Sequence, residues 1–419
     1  MKRTTIFHAL SIIVILSLFL PGQALTALAK STQYSYPDVG GPALRQSIVY
    51  QPPKVNGTAL GPAGVVKNFE MLIYARSHML NYLKRYKQAG WKGLSLLYFD
   101  VAKNNGPKGL SSLAAQKTRC TSTQKTFAVY SNTITMDTGE MCRIHDAIIL
   151  KGKVDGLPVT EDWFLHRSDG SRYEVAGGGV SGAAQYRMNF ANPDYQKYYL
   201  NKLRREFEAT DPNHLPTGAM GLFLDNVSES WSDIEDYNNG APPREFADKV
   251  AYQAGMESFL AAIRTEFPAI QIWGNMTSFS TNEENFVSFK PYMDGAMIEG
   301  AFLDWDGDPR SVSKVEDGNA MADEWGKPLL YVVQGNSANT FHKYNFGLYL
   351  LMVDEDAYFF FSDQSSYANY YRITEYQLAL GRPLGDRVKI GEGIWRRRFE
   401  NGIVRVNLNT RTTTITMLK

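Results

Sequence analysis

The sequence predicts an α/β protein built as a (β/α)8 barrel with a small antiparallel β-appendage at its carboxyl end. Short apolar segments alternate with helix-spaced segments over about 300 residues, nearly all of the apolar segments end on polar residues, and no glycine-rich phosphate turn follows the first one. An open doubly wound sheet is the competing architecture. The barrel is favoured because it gathers the polar strand ends around one mouth and needs no phosphate turn.

The predicted strands are short apolar runs of the kind that is buried on both faces in a parallel sheet. They are Met71–Ala75, Leu94–Asp100, Glu161–Arg167, Gly221–Val227, Ile270–Asn275, Gly295–Gly300, Leu329–Gly335 and Ala357–Asp363. Helices are predicted at Ser77–Gln88, Gln196–Ala209, Pro242–Phe267, Val312–Trp325 and Tyr344–Met352. The barrel should therefore occupy residues 65–380, after an irregular lead-in over residues 30–64.

A long insertion, residues 101–160, delays the third predicted strand and carries Cys120 and Cys142, the only cysteines of the chain. In an exported protein this pair is expected to form a disulfide, which would stabilise the fold by roughly 3 kcal/mol. Two cysteines without clustered histidines make no zinc pattern, so we expect neither a structural metal nor a cofactor.

Both ends of the chain differ in texture from the barrel. Residues 1–29 read as a secretory signal peptide, with a basic start, an apolar run over residues 6–20 and a small-residue cleavage pattern. An uncleaved amino-terminal anchor is the alternative; otherwise we expect a secreted or cell-envelope protein without stable membrane association. Residues 381–419 alternate around an Asn401-Gly402 turn, which predicts the antiparallel appendage.

The charge balance argues against a nucleic-acid partner. The chain has 44 Lys and Arg against 43 Asp and Glu, so the basic footprint of a polyanion binder is missing. Aromatic residues make up 13%, which suits a large core and surfaces that contact sugar rings. Nothing in the composition indicates an oligomeric state.

Carboxylates dominate the predicted strand ends. Asp225 and Glu299 are the favoured catalytic pair, since they end the fourth and sixth predicted strands and should face each other across part of the mouth. Burial behind an apolar run should keep Glu299 protonated as a general acid, while Asp225 should stay ionised as the nucleophile. The alternatives are a capping role for Asp225 and a structural ion pair for Glu299.

Further polar and aromatic residues near the strand ends are candidate substrate ligands. They are Asp100, His166, Arg167, Asn226, Trp231, Asn275, Gln334 and Asp363. For Asp100 and Asp363 a cap or an ion pair is about as good an interpretation. A histidine whose hydrogen bonds are satisfied within the fold is the more common outcome for His166, and the tryptophan could belong to the core.

Four motifs carry a resemblance to known families. The Gly-Leu-Phe-Leu-Asp-Asn strand, the Met-Ile-Glu-Gly strand, the Asn-Pro-x-Tyr helix start and the closing Arg-Arg-Phe-x-Asn-Gly hairpin resemble the glycoside-hydrolase-like TIM-barrel families. Those families are similar to barrels of the α-galactosidase and polygalactosaminidase type. The resemblance spans roughly Val65 to Met417 and implies that Asp225 is the nucleophile and Glu299 the acid/base.

The sequence therefore predicts an exported retaining glycosidase that acts on a poly- or oligosaccharide. A catalytically inactive barrel that binds carbohydrate in the same cleft is the first alternative. A structural envelope component, docked through the carboxyl-terminal hairpin, is the second.

Overall fold

The computed structural model describes residues 45–49, 54–120, 124–129, 132–137, 139–176, 183–208, 218–227, 231, 242–276, 288–303, 307–335, 341–353, 357–363 and 366–418. The predicted signal peptide and the lead-in up to residue 44 lie outside these ranges. Within them, no helix combines the length and the apolar character needed to cross a bilayer.

A parallel, barrel-like sheet forms the centre of the α/β fold. Its strands are β1 (Arg45–Val49), β2 (Met71–Tyr74), β3 (Leu94–Asp100), β4 (Gly221–Asp225), β5 (Gln271–Asn275), β6 (Gly295–Glu299), β7 (Leu329–Gly335) and β8 (Tyr358–Asp363). Each strand pairs in parallel with the next, and β1 also pairs in parallel with β8 through Arg45 and Gln46. The carboxyl ends of all these strands therefore lie at one end of the sheet.

The apolar runs explain why these strands are buried. All seven residues of β7 are buried. In β4 and β6 the first four residues are buried, and only the terminal carboxylates, Asp225 and Glu299, are partly exposed. Gly221 begins β4 where the neighbouring backbone leaves no room for a side chain: a Cβ there would lie 2.1 Å from the Gln271 carbonyl oxygen. Only glycine fits at that position.

Helices alternate with most of the strands. They occupy Pro62–Asn68, a continuous run of Arg76–His78, Met79–Leu83 (π) and Lys84–Gln88, then Pro193–Leu203 followed by the π-turn Arg204–Glu208, and Lys249–Glu266, Val312–Trp325 and His342–Met352. The predicted helix over Val312–Trp325 is confirmed, and Asn192 caps Pro193–Leu203 by accepting from the backbone N–H groups of residues 194 and 195. The helix predicted from Pro242 begins later, after the capping residue Asp248.

The predicted third strand, Glu161–Arg167, is wrong. Residues Glu161–Trp163 form a 3-10 turn, and Phe164 and His166 make isolated antiparallel bridges to Met188 and Arg172. Trp163 packs against Tyr195 and Tyr198 of helix Pro193–Leu203, and Phe164 lies under the guanidinium of Arg172, so this segment is buried outside the parallel sheet. A strand that was not predicted, β1, joins the sheet instead, and it comes from the segment predicted to be an irregular lead-in.

The insertion folds together with two strands that follow it as a small antiparallel unit. Strand Ala183–Arg187 pairs with both Lys103–Pro107 and Glu174–Ala176, and the hairpin of Gln124–Val129 with Asn132–Asp137 belongs to the insertion. Helix Gly139–Ile149 packs on Lys103–Pro107. It also carries Cys142, which forms the predicted disulfide with Cys120, the two Cα atoms being 5.2 Å apart.

The carboxyl-terminal appendage is confirmed as an antiparallel sheet. Its strands, in spatial order, are β9 (Val388–Gly391), β10 (Ile394–Phe399), β11 (Gly402–Asn407) and β12 (Thr412–Met417). The sheet packs on helix His342–Met352, where a Cβ at Gly347 would lie 2.1 Å from the Thr413 Oγ1 atom. The missing side chain lets the appendage approach the barrel closely.

Candidate active site

Asp225 and Glu299 lie close together at the carboxyl end of the sheet, joined by one amide. Asn275, the last residue of β5, donates from Nδ2 to Asp225 Oδ1 at 2.9 Å and to Glu299 Oε2 at 2.8 Å. The two carboxylate oxygens are therefore no further apart than the sum of those bonds. Because Asn275 is 4% exposed, this bridge is buried beneath the mouth.

The nucleophile candidate accepts hydrogen bonds from two further donors. Tyr98, on β3, donates its hydroxyl to Asp225 Oδ2 at 2.6 Å, and the backbone N–H of Asn226 donates to Oδ1 at 2.9 Å. Asn226 adopts a left-handed conformation, with φ of 60°. Asparagine tolerates this region better than most residues, which explains why the turn after β4 can direct that N–H group at the carboxylate.

Lys103 connects the insertion to this turn. Its Nζ atom donates to Asn226 Oδ1 at 2.6 Å. Asp100, at the end of β3, accepts from the backbone N–H groups of Ala102 and Lys103 at 3.2 and 3.0 Å, so it caps the loop that presents Lys103. The positive charge of Lys103 therefore contacts Asn226, whose backbone N–H donates to Asp225.

Glu299 accepts a second hydrogen bond, from a side chain on β7. Gln334, on β7, donates to Glu299 Oε1 at 3.3 Å and also to the Tyr367 hydroxyl. Tyr367 lies on Ser366–Tyr370, a strand antiparallel to β8, and its ring stacks on Phe360 with centroids 6.3 Å apart. The side chain of Gln334 is thus fixed between the acid and an aromatic wall.

The electrostatics of the pair follow from burial and proximity. Burial, followed by the negative charge of Asp225, raises the pKa of Glu299 to about 7, although Asn275 and Gln334 favour its ionised form. Burial also raises the pKa of Asp225 above its usual value. Three hydrogen bonds and the charge of Arg187 counter that effect. With more donors on Asp225, we assign the shared proton to Glu299 near neutral pH.

Two predicted ligands, His166 and Arg167, lie in a different cluster. The Nδ1 atom of His166 contacts Glu245 Oε1 at 2.7 Å and its Nε2 atom contacts Glu161 Oε1 at 3.1 Å. Burial lowers the pKa of His166, but hydrogen bonds to both carboxylates outweigh it and raise that pKa to about 9. Arg167 donates to the backbone oxygens of Arg172 and Glu174. The structure does not bring either side chain to the carboxylate pair, and their substrate contacts stay predictions.

The last two predicted ligands are Trp231 and Asp363. Trp231 is half-buried, and its ring meets Tyr252 edge-on at 5.7 Å between centroids. Asp363 ends β8, where its backbone pairs with Gly335 of β7. Both remain predictions as sugar ligands.

Sequence reasoning missed three residues of the site: Tyr98, which contacts Asp225, and Lys103 and Tyr367, which contact Asn226 and Gln334. Tyr98 was recoverable, because it lies two residues before Asp100 on the same face of β3 and so points toward the same mouth. Lys103 and Tyr367 come from the insertion and from an extra strand, and no local pattern marks them. In the described part of the chain, no group of three or more His, Cys, Asp or Glu side chains could hold a metal ion.

Comparison with known proteins gives a family match. The profile of a family described as hypothetical glycosyl hydrolase family 15 matches residues 128–403, more than half of the chain. The glycoside hydrolase domain of PelA from Pseudomonas aeruginosa is similar at 14% identity with a TM-score of 0.43, over 79% of this chain and 100% of that domain. The spore cortex-lytic enzyme SleL from Bacillus cereus is similar at 10% identity with a TM-score of 0.31, over 69% of this chain and 51% of that one. No curated protein is significantly similar to the chain.

Proposed function

The chain belongs to hypothetical glycosyl hydrolase family 15, and from that membership we propose that it is an exported retaining glycoside hydrolase acting on a poly- or oligosaccharide. The observation that carries the proposal is the Asn275 bridge. It limits the separation of the Asp225 and Glu299 oxygens to the sum of 2.9 and 2.8 Å. Retaining enzymes hold their carboxyl groups roughly 5 to 5.5 Å apart, whereas inverting enzymes need roughly 6.5 to 9.5 Å to admit a water molecule.

In the proposed mechanism the two carboxyl groups have different tasks. Protonated Glu299 gives its proton to the glycosidic oxygen while Asp225 attacks the anomeric carbon, so the C–O bond breaks as a glycosyl ester forms. Glu299, now ionised, then takes a proton from water, which hydrolyses the ester and restores both groups. The pKa of about 7 suits a group that must donate and then accept a proton near neutral pH.

The surrounding donors would serve the nucleophile. Tyr98 and the N–H of Asn226 hold both oxygens of Asp225, so the carboxylate keeps one orientation. Asn275 would stabilise the negative charge on either carboxylate, because it donates to both Asp225 and Glu299. We also propose Asp100, Asn226, Trp231, Gln334 and Asp363 as contacts of the sugar around this centre, with His166 and Arg167 further along the cleft.

The kinetic test compares two variants with a surface control. Asp225→Asn and Glu299→Gln should each lose at least about a hundredfold in kcat on a cleaved polysaccharide, whereas Asp317→Asn, on an exposed helix position, should not. On an aryl glycoside with a good leaving group, Glu299→Gln should recover most of its bond-cleavage rate while Asp225→Asn should not. Full activity in both variants would remove the assignment. Inverted configuration in the first product, read by NMR, would remove retention.

We propose in addition that the parallel sheet is a complete (β/α)8 barrel with β1 as its first strand. Pairing of β1 with both β2 and β8 supports this. Replacing Ile48 by Pro should then prevent soluble folding, because β1 would join the two edges of the sheet and proline removes a backbone donor from that pairing. A folded, active variant would argue for an open sheet.

Export is proposed from the amino-terminal sequence. The basic start, apolar run and Ala27-Leu28-Ala29 pattern support cleavage before Lys30. The Cys120–Cys142 disulfide suits an oxidising compartment. Amino-terminal sequencing of protein from the culture medium checks the cleavage site, and retention of residues 1–29 would indicate the anchored alternative.

A further inference from the structure

A second cleft lies at the opposite end of the sheet from the carboxylate pair. It has a volume of about 830 Å³, and its floor is formed by the buried residues Leu329, Tyr331, Met352 and Ala357. We call it the rear cleft. Gln334 contacts Glu299 on the same strand that Leu329 begins, so the two sites are separated by roughly 16 Å along β7.

Helix Val312–Trp325 and the appendage form the walls of the rear cleft. Lys389 of β9 donates to Glu316 Oε1 at 2.7 Å, and Arg387 donates to Asp323 Oδ2 at 2.6 Å. Asp386 also lines the cleft and is exposed. These two ion pairs connect the appendage to the barrel, so the walls are formed only when both parts are folded together.

The charge of the lining narrows the class of ligand. The acidic residues Glu316, Asp323 and Asp386 are balanced by three basic ones, Arg387, Lys389 and Arg397. A balanced lining gives no net attraction for a polyanion or a polycation. The floor is apolar but small, and the walls present carboxylate, guanidinium and ammonium groups. This combination suits a neutral ligand with many hydroxyl groups.

One aromatic ring completes the lining. Trp395 of β10 is half-buried, and its indole N–H donates to Glu316 Oε1 at 3.2 Å, which fixes the ring. The Nζ atom of Lys389 lies 5.6 Å from the ring centroid. Because the Lys389 side chain is 47% exposed, its ion pair contributes little, and the ammonium can move away from the ring face while the Arg387–Asp323 pair still connects the appendage to the helix. The face of a pyranose ring could then pack there.

We propose that the rear cleft is a second saccharide-binding site, which holds a neutral segment of the polysaccharide chain away from the catalytic pair. This inference rests on the proposed function for the class of its ligand. A site roughly 16 Å away cannot contact the sugar being cleaved. It can raise the local concentration of a polymer that reaches both sites, but not of a short substrate.

The binding test is affinity electrophoresis of the full exported protein in gels that contain hydroxyethyl cellulose, galactan, arabinoxylan or glycol chitin. All variants carry Glu299→Gln, so that the polymer stays intact. At least one polymer should retard the parent protein, and Trp395→Ala should weaken that binding about tenfold, the usual worth of one aromatic contact. Asp386→Ala should also weaken it, while Asp317→Ala, with the same charge change outside the cleft, should not. Melting curves show which variants are folded.

The outcomes separate this inference from the proposed function. Equal retardation of the parent, Trp395→Ala and Asp386→Ala, or retardation of none by any polymer, overturns the rear site. In protein with Glu299 restored, Trp395→Ala should raise KM on the polymer and leave kcat/KM on a short oligosaccharide unchanged. Loss of both activities would assign Trp395 to folding and likewise overturn the proposal. If the protein with Glu299 intact cleaves no polymer, but a polymer retards the parent more than Trp395→Ala, the proposed hydrolase function is wrong and the rear binding site is retained.

Discussion

Removing the Tyr98 hydroxyl tests whether the hydrogen bonds around Asp225 serve catalysis. Tyr98→Phe keeps the ring, which stacks on Phe223 with centroids 6.0 Å apart, and deletes only the group that donates to Asp225 Oδ2 at 2.6 Å. Burial and the neighbouring negative charge of Asp225 raise the pKa of Tyr98 well above its usual range. The hydroxyl therefore remains a donor throughout the working pH range.

The size of the effect follows from the length and charge of this bond. A short O–H···O⁻ bond to an ionised group contributes about 1.5 to 3 kcal/mol. If it serves to orient and stabilise the attacking carboxylate, its loss should lower kcat about tenfold to a hundredfold. Because the Tyr98 bond favours the anion, its loss should raise the pKa of Asp225 further. The acidic limb of the kcat profile should then move to higher pH.

Steady-state kinetics from pH 4 to 9 on the cleaved glycan measure both quantities. Tyr349→Phe is the matched control, since its buried hydroxyl donates at 3.0 Å to the backbone oxygen of Ala357, at the other end of the sheet. It should lose stability without changing the pH profile. A Tyr98→Phe protein with unchanged kcat and an unmoved acidic limb would refute the argument that this bond supports the nucleophile.

Glu299→Gln should raise the melting temperature more at pH 8 than at pH 5, because ionising a carboxyl with a folded-state pKa of about 7 costs stability that an amide does not; calorimetry at both values checks it. His166→Gln should destabilise most below pH 6.5 and least above pH 9, since the stability from its raised pKa of about 9 is lost as pH rises through that value; urea midpoints across that range check the sign, and a raised KM at unchanged stability would instead support substrate contact. Lys103→Met should lower kcat more than it raises KM, with partial rescue by Lys103→Arg, because the lysine holds the Asn226 amide beside the nucleophile; equal kinetics in both variants would contradict this. Cys142→Ser should cost about 3 kcal/mol of unfolding free energy, measured in denaturant, as expected for the loop it closes.

The sequence alone was sufficient for the parts of the fold that local patterns encode. Gly221–Asp225 and Gly295–Glu299 are buried strands because an apolar run with a terminal carboxylate has few other stable arrangements in an α/β sheet. The same logic predicted Asn275 at the end of its strand, and the structure shows that it bridges the two carboxylates. Parallel strands in chain order bring their carboxyl ends together, so proximity of these residues followed from order along the chain.

Local patterns failed where burial comes from a distant part of the chain. Glu161–Arg167 has the apolar content of a barrel strand, yet it makes only isolated antiparallel bridges and packs its tryptophan against helix Pro193–Leu203. The strand β1 was missed because five residues amid prolines and glycines give no period, and only pairing with both β2 and β8 holds them in the sheet. His166 was predicted at the mouth for the same reason and lies instead between two carboxylates.

What the sequence determined, then, was which carboxylates end the two parallel strands on either side of β5, because the apolar runs specify strand order and burial. Tertiary structure alone decided how those carboxylates are held. The Tyr98 hydroxyl, the Lys103 ammonium and the Gln334 amide reach Asp225, Asn226 and Glu299 from elements far apart along the chain. Side-chain direction and distance depend on how those elements pack, and no local pattern of residue types specifies that packing.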